Sequence, residues 1–298
     1  MRTMRKMAAL RPRCSILPSI VAQRRSMDPS VRYFTSGVTL AYRTYGHGPL
    51  PLLAFHGFGR TGADFAVLEP VLKGHCTLYA FDLHFHGQSP GYPERARQPF
   101  TPKELADHFS AFIDDLGVPS ASVMGYSLGG RIALCLLEHM SDRIDRAFLV
   151  APDGLKTRPW YRSMAASRTG RALFRRFVER PAAVHALIHG AHATRLIGVK
   201  MHRFLMGQTD SRHKRMLVRD VWLSYRLIEP DLAVVAAHAK THGIPIHLFF
   251  GTHDRVIKPA LGDRLQHLAP ELVTRQVLPT GHVLLTPELG TLIATHLG

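Results

Sequence analysis

Six short, almost uninterrupted apolar runs recur along this chain, and they constrain its fold more than any other feature. They are L-P-L-L-A-F (50–55), T-L-Y-A-F-D (77–82), S-V-M-G-Y (122–126), R-A-F-L-V-A (146–151), I-P-I-H-L-F-F (244–250) and V-T-R-Q-V-L (273–278). A strand wetted on one face alternates apolar and polar residues. A continuous run therefore implies burial on both faces, as in a parallel sheet covered by helices. Helical windows at 63–72, 102–116, 128–139, 258–269 and 283–297 supply that cover. The second opens at Thr101-Pro102, an N-cap followed by a first-turn proline, and closes at Gly117. Ahead of them, V-R-Y-F-T and V-T-L-A-Y-R-T alternate around Ser36-Gly37 and read as an antiparallel hairpin. The expected class is α/β, around a mostly parallel sheet.

The alternation stops between about 153 and 243. That segment holds no strand candidate and six helical windows, at 159–168, 170–179, 182–190, 192–206, 211–227 and 230–241. We read 153–243 as a helical insertion into a core made of 27–152 and 244–298. Charge divides along similar lines. Of a formal net charge of +16, residues 1–26 supply seven basic side chains and no acid, and Leu155 to Lys240 holds 17 basic and 5 acidic residues. The remainder is mildly acidic, with 14 basic and 17 acidic residues. Residues 1–26 lack periodicity and contain Pro12 and Pro18, so a disordered basic extension is expected, with Met27 as an alternative initiator. Its composition also suits a transit segment. The three cysteines, Cys14, Cys76 and Cys135, are scattered and match neither a disulfide framework nor a zinc motif, which suits a reducing, cytoplasmic setting. No apolar run is long enough to span a bilayer. Dinucleotide and phosphate-loop patterns and compact metal-ligand clusters are absent from the sequence, so no cofactor and no metal are expected.

Gly125-Tyr126-Ser127-Leu128-Gly129-Gly130 lies where an apolar strand ends and a helix begins. A serine on so tight a turn needs small neighbours, which Gly125 and Gly129 provide. Its hydroxyl then stands above the carboxyl edge of the sheet, beside free N–H groups at a helix N-terminus that favour an oxyanion. The chain here resembles the α/β-hydrolase fold family, whose further motifs follow in order. His56-Gly57-Phe58-Gly59 is similar to the family's oxyanion loop. Asp82-Leu83-His84-Phe85-His86-Gly87-Gln88-Ser89 resembles its D-x-x-G-H-G-x-S stretch, departing at Phe85, where glycine is usual. Gly251-Thr252-His253-Asp254 matches the acid-bearing turn, and Gly281-His282 the terminal histidine turn. The resemblance covers about 31–152 and 244–298, and implies an eight-stranded sheet with the 153–243 insertion as a helical cap, or lid.

A serine hydroxyl is a weak nucleophile and needs a base, which in turn needs an orienting acid. Ser127 is the expected nucleophile, His282 the base and Asp254 the acid, with Asp153 as the alternative acid. Backbone N–H groups of Phe58 and Leu128 are the expected oxyanion hole. His56, His84, His86 and His253 read as loop-shaping residues. Tyr126 and Arg131 are candidate substrate contacts. An arginine at the position of Arg131 also resembles relatives from menaquinone synthesis that eliminate pyruvate from a carboxylate. The expected activity is cofactor-independent hydrolysis of a carboxylic ester or related acyl compound, of the carboxylesterase or lipase kind. A lyase or C–C hydrolase on a carboxylate, and a non-catalytic ligand-binding protein, are the alternatives. The basic insertion carries Arg171, Arg175, Arg176, Arg212, Lys214, Arg215 and Arg219 among apolar residues. It reads as a solvated face, as a contact for anionic lipid surfaces or as a device steering anionic substrates. No base-reading motif accompanies the charge, so nucleic acid is not an expected partner.

Overall fold

Eight strands form one sheet in the computed structural model, which describes residues 30–156 and 167–297. The basic extension 1–26 and nearly all of the window 159–168 lie outside those residues. The strands are β1 (Arg32–Ser36), β2 (Val38–Tyr45), β3 (Leu50–Phe55), β4 (Cys76–Asp82), β5 (Ala121–Tyr126), β6 (Ile144–Val150), β7 (Ile246–Gly251) and β8 (Val273–Leu278). Their spatial order is β1-β2-β4-β3-β5-β6-β7-β8. β1 pairs antiparallel with β2 and β2 with β4, while every other pairing is parallel. All residues of β5 and β7 are buried, as their unbroken apolar runs require, whereas the edge strand β8 buries only Val273. Register brings Phe55 level with Gly125, Gly125 with Leu149 and Val150 with Phe249. The turns that follow β3, β5, β6 and β7 therefore open at one edge of the sheet.

The flanking helices follow from local signals. α1 is short (Glu69–Leu72) and is preceded by a 3-10 turn over Gly62–Leu68, where the pattern predicts one helix from 63 to 72. Pro70 has no N–H to donate to Ala66 O and is tolerated only in a helix's first turn, so the α-helix starts at Glu69. α2 (Pro102–Asp115) opens with a capping box, in which Glu104 N–H donates to Thr101 Oγ1 at 3.2 Å and Thr101 N–H to Glu104 Oε2 at 2.8 Å. α3 (Leu128–His139) is buried from Leu128 to Leu137, so its apolar residues run all round rather than along one stripe.

After β6 come α4 (Arg168–Glu179), α5 (Pro181–Ala193), α6 (Val199–Thr209), α7 (Arg212–Ser224) and α8 (Leu232–His242). The window 192–206 is not one helix: the chain leaves α5 through Arg195, at φ 61°, and re-enters at Gly198. α4 to α7 pack chiefly on one another. α7 is tied to the core at its end, where Phe100 N–H donates to Ser224 O at 2.9 Å and Arg226 donates to the carbonyls of Ala96 and Arg97 at 2.9 and 3.0 Å. α8 differs from these, since it packs on α3 and its Leu232, Val235, Ala236 and Ala239 belong to the main hydrophobic core. The sheet-covering layer therefore resumes at α8, inside the segment 153–243 read as an insertion.

The last window also shortens. Residues 258–269 form a 3-10 turn (Pro259–Gly262) and α9 (Asp263–Leu268), and α10 spans only Pro287–Ala294. Thr286 caps α10 by accepting from Leu289 N–H, which leaves the preceding residues as the loop that carries His282.

Candidate active site

Ser127 sits between β5 and α3 at φ 52° and ψ −112°, a conformation that costs a non-glycine residue of order 1–3 kcal/mol. Its surroundings hold it there. Ser127 N–H donates to Val150 O at 3.0 Å, and Ser127 O accepts from Gly130 and Asp153 N–H at 2.9 and 2.8 Å. A Cβ at Gly125 would lie 2.4 Å from Gly129 O, and one at Gly129 would lie 1.9 Å from Phe55 O. Only glycine lets strand and helix approach so closely.

His282 comes from the loop between β8 and α10, far along the chain. Its Nε2 lies 3.2 Å from Ser127 Oγ, and its Nδ1 donates to Asp254 Oδ2 at 2.7 Å. Asp254, just beyond β7, is buried, and its second oxygen accepts from Val256 and Ile257 N–H at 2.7 and 2.9 Å. Burial pushes the carboxyl up, but the hydrogen bonds from His282 and from those two amides outweigh it and leave the group below the usual aspartate value. The loops bearing acid and base touch directly, since a Cβ at Gly251 would meet Gly281 O at 2.2 Å.

The loop after β3 passes beside the serine. A Cβ at Gly57 would come within 3.2 Å of Ser127 Cβ. Among the described residues, the backbone N–H groups of Phe58 and Leu128 have no acceptor within the protein. Two buried imidazoles hold this loop. His56 Nδ1 donates to Gly57 O at 2.7 Å while its Nε2 accepts from Leu83 N–H at 2.9 Å. His86 Nε2 accepts from Gly59 N–H at 3.0 Å. Burial lowers both, His86 to about 4, so each stays neutral and can accept. Phe85 takes φ 70°, the left-handed conformation that glycine would supply, and its ring packs against the core.

Three other sequence candidates have partners that define them. Tyr126 is mostly buried, and its hydroxyl donates to His282 O at 2.9 Å, with the rings 5.5 Å apart. Burial pushes its phenol up to about 12, which keeps it a donor. Arg131 pairs with Asp153 beneath Trp222, whose ring centroid lies 5.6 Å from the guanidinium carbon. Asp153 is thus turned toward Arg131 and its own turn, where Oδ1 accepts from Gly154 N–H at 2.8 Å. The bond between Tyr126 and His282 joins residues 156 apart, and nothing in the sequence pattern signals it.

A cavity of about 540 Å³ lies among α4, α5, α6 and α7 and reaches Phe58 of the loop after β3. Phe177, Val184, Ile188, Leu205, Val218 and Trp222 make most of its wall apolar. That volume is within the range of small-molecule sites. Among the described residues, no group of three or more His, Cys, Asp or Glu is disposed to hold a metal ion.

Comparison with known proteins adds the following. A family model described as alpha/beta hydrolase fold matches residues 51–288. A protein named "Uncharacterized hydrolase YugF" from Bacillus subtilis (strain 168) is 24% identical over 276 residues, covering 91% of this chain and 97% of that protein. The "(Lyso)-N-acylphosphatidylethanolamine lipase" of Homo sapiens is 33% identical over 113 residues, which cover 37% of this chain and 32% of the lipase. Among solved structures, a thermophilic esterase from Thermogutta terrifontis superposes with a TM-score of 0.65 at 19% identity, covering 90% of this chain and 97% of that one.

Proposed function

This chain belongs to the α/β-hydrolase fold family, and from that premise we propose that it is a serine hydrolase that cleaves carboxylic esters through an acyl-enzyme. One observation carries the reading: a continuous relay from Asp254 through His282 to Ser127, with steps of 2.7 and 3.2 Å. His282 Nε2 takes the hydroxyl proton as Ser127 Oγ attacks the ester carbonyl. Asp254 holds the Nδ1 proton, which selects the tautomer that leaves Nε2 free, and it stabilises the imidazolium that forms. The N–H groups of Phe58 and Leu128 receive the oxyanion, a contribution of about 10²–10³ in rate for each such donor. Collapse of the tetrahedral species expels the alcohol, which takes its proton from His282. Water then attacks the acyl-enzyme with His282 again as base, releasing the acid and regenerating Ser127.

The apolar cavity beside Phe58 supports an acyl or alcohol group of substantial length. In this reading α4 to α7 act as a cap that covers the substrate. The similarity to a lipase and to an esterase agrees with ester chemistry. The lyase alternative relied on Arg131 as a carboxylate receptor, and its ion pair with Asp153 speaks against that use.

A fluorophosphonate probe followed by a series of aryl esters of increasing acyl length tests the proposal. Labelling should fall on Ser127 and disappear in Ser127→Ala, with turnover rising from acetyl to medium-chain esters. An unlabelled protein with no esterase activity would sink it.

A further inference from the structure

Two helices of the inserted segment leave large apolar side chains in solvent. Leu173 on α4 is 59% exposed and Leu187 on α5 is 74% exposed. Single exposed leucines are ordinary on protein surfaces. These two differ because both also line the 540 Å³ cavity. A side chain that is wet on one side and faces the cavity on the other belongs to the cavity's rim, so the mouth opens through apolar side chains. Outside the cavity lining, Leu196 in the turn after α5 and Val199 at the start of α6 are also exposed, at 80% and 58%.

The same rim is cationic. Leu173 and Arg176, three residues apart, lie on one face of α4, Arg180 sits in the turn that ends it, and all three line the cavity. Arg175, Arg176 and Arg180 are exposed, and among the described residues no carboxylate pairs with them. Glu179 is the single acid in α4, while α5 and α6 contain none. Leucines and unpaired arginines around one opening complement a surface that offers anionic groups outside and hydrocarbon within. An acidic soluble partner would satisfy the arginines but would leave the leucines and the opening unexplained.

We propose that this face docks on an anionic lipid surface, with Leu173 and Leu187 entering the interface and Arg176 and Arg180 meeting lipid phosphates and carboxylates. Acyl chains would then pass from the lipid layer into the cavity without crossing water. That passage rests on reading the cavity as the substrate site. The docking itself does not.

The test is sedimentation of the full chain, carrying Ser127→Ala so that no lipid is consumed. The vesicles are pure phosphatidylcholine or contain about one third phosphatidylserine. Binding should be at least about tenfold tighter to the anionic vesicles and should weaken as salt is added. Arg176→Gln and Arg180→Gln should each weaken it about fivefold, and Leu173→Ser with Leu187→Ser about tenfold together. Thermal denaturation of each variant checks that it remains folded. Binding that ignores all four substitutions, as attachment through the basic N-terminal residues would, overturns the assignment. So does equal binding to neutral vesicles, or arginine-dependent binding to soluble polyglutamate that matches the vesicles. Because the readout uses an inactive variant, failure of the esterase reading leaves this result interpretable.

Discussion

Replacing Asp254 by asparagine tests the site most sharply, because it changes one hydrogen bond and keeps the rest. The carboxylate uses Oδ1 for Val256 and Ile257 N–H and Oδ2 for His282 Nδ1. An asparagine can keep its carbonyl oxygen on the two amides, so its NH₂ must face the imidazole. Nδ1 then becomes an acceptor and the ring proton moves to Nε2, 3.2 Å from Ser127 Oγ, where the base is required. Turning the amide over restores the tautomer only by opposing NH₂ to two backbone donors, at about 1–3 kcal/mol for each buried donor left unpaired. The expected loss is that of a base held in the wrong tautomer, about 10⁴ in kcat or roughly 5 kcal/mol of barrier, with KM little altered. Steady-state hydrolysis of an aryl ester measures it, and fluorophosphonate labelling should slow in parallel. Asp254→Asn retaining a tenth of the wild-type kcat would refute the reasoning. So would Asp153→Asn losing activity in its place while still folded.

Tyr126→Phe removes the donor to His282 O and should lower kcat about tenfold while the fold is kept, since one buried hydrogen bond is worth about 1 kcal/mol and the freed carbonyl loosens the base. Unchanged kcat in the same ester assay would show that the bond is incidental. Arg131 and Asp153 should couple strongly in denaturant unfolding: each of Arg131→Met and Asp153→Asn strands a largely buried partner at a cost of about 3–5 kcal/mol, and the double variant should lose less than the sum. Strict additivity would mean the pair is solvated. His84 is buried against Phe100 with ring centroids 4.4 Å apart. Burial first, then His108 and Arg95, lower it from 6.5 to about 3. The unfolded chain therefore binds a proton below pH 6.5 that the folded chain refuses until about pH 3, so stability is full above 6.5 and falls through that window. At pH 5 the loss from this group is about 2 kcal/mol, and His84→Phe should flatten the profile of unfolding midpoint against pH. A wild-type midpoint that stays level from pH 7 to 5 would contradict this.

Much of the architecture was legible because it rests on local rules. The runs at 122–126 and 244–250 became the fully buried β5 and β7 to within two residues, and the Thr101-Pro102 signal opened α2 as read. Ends decided by competing contacts were less visible. The window 192–206 has helical periodicity throughout, yet the chain breaks before Gly198. The window 283–297 loses its first turn to the loop that carries His282. α8 looks like its neighbours in sequence, and only its packing on α3 places it with the sheet. Phe85 fills a place where glycine is usual, and the loop still takes the left-handed turn.

The sequence by itself determined that a parallel sheet would form, and that a serine would stand on a tight strand-to-helix turn at its carboxyl edge. Both follow from side-chain size and polarity along a few consecutive residues. Whether positions 127, 254 and 282 meet, and whether Arg131 and Tyr126 face a ligand or the protein, was decided by tertiary structure alone. Hydrogen bonds act over about 3 Å in space and leave no periodic trace along the chain. Partners more than a hundred residues apart are set by strand order and register, and these emerge only when the whole sheet is assembled.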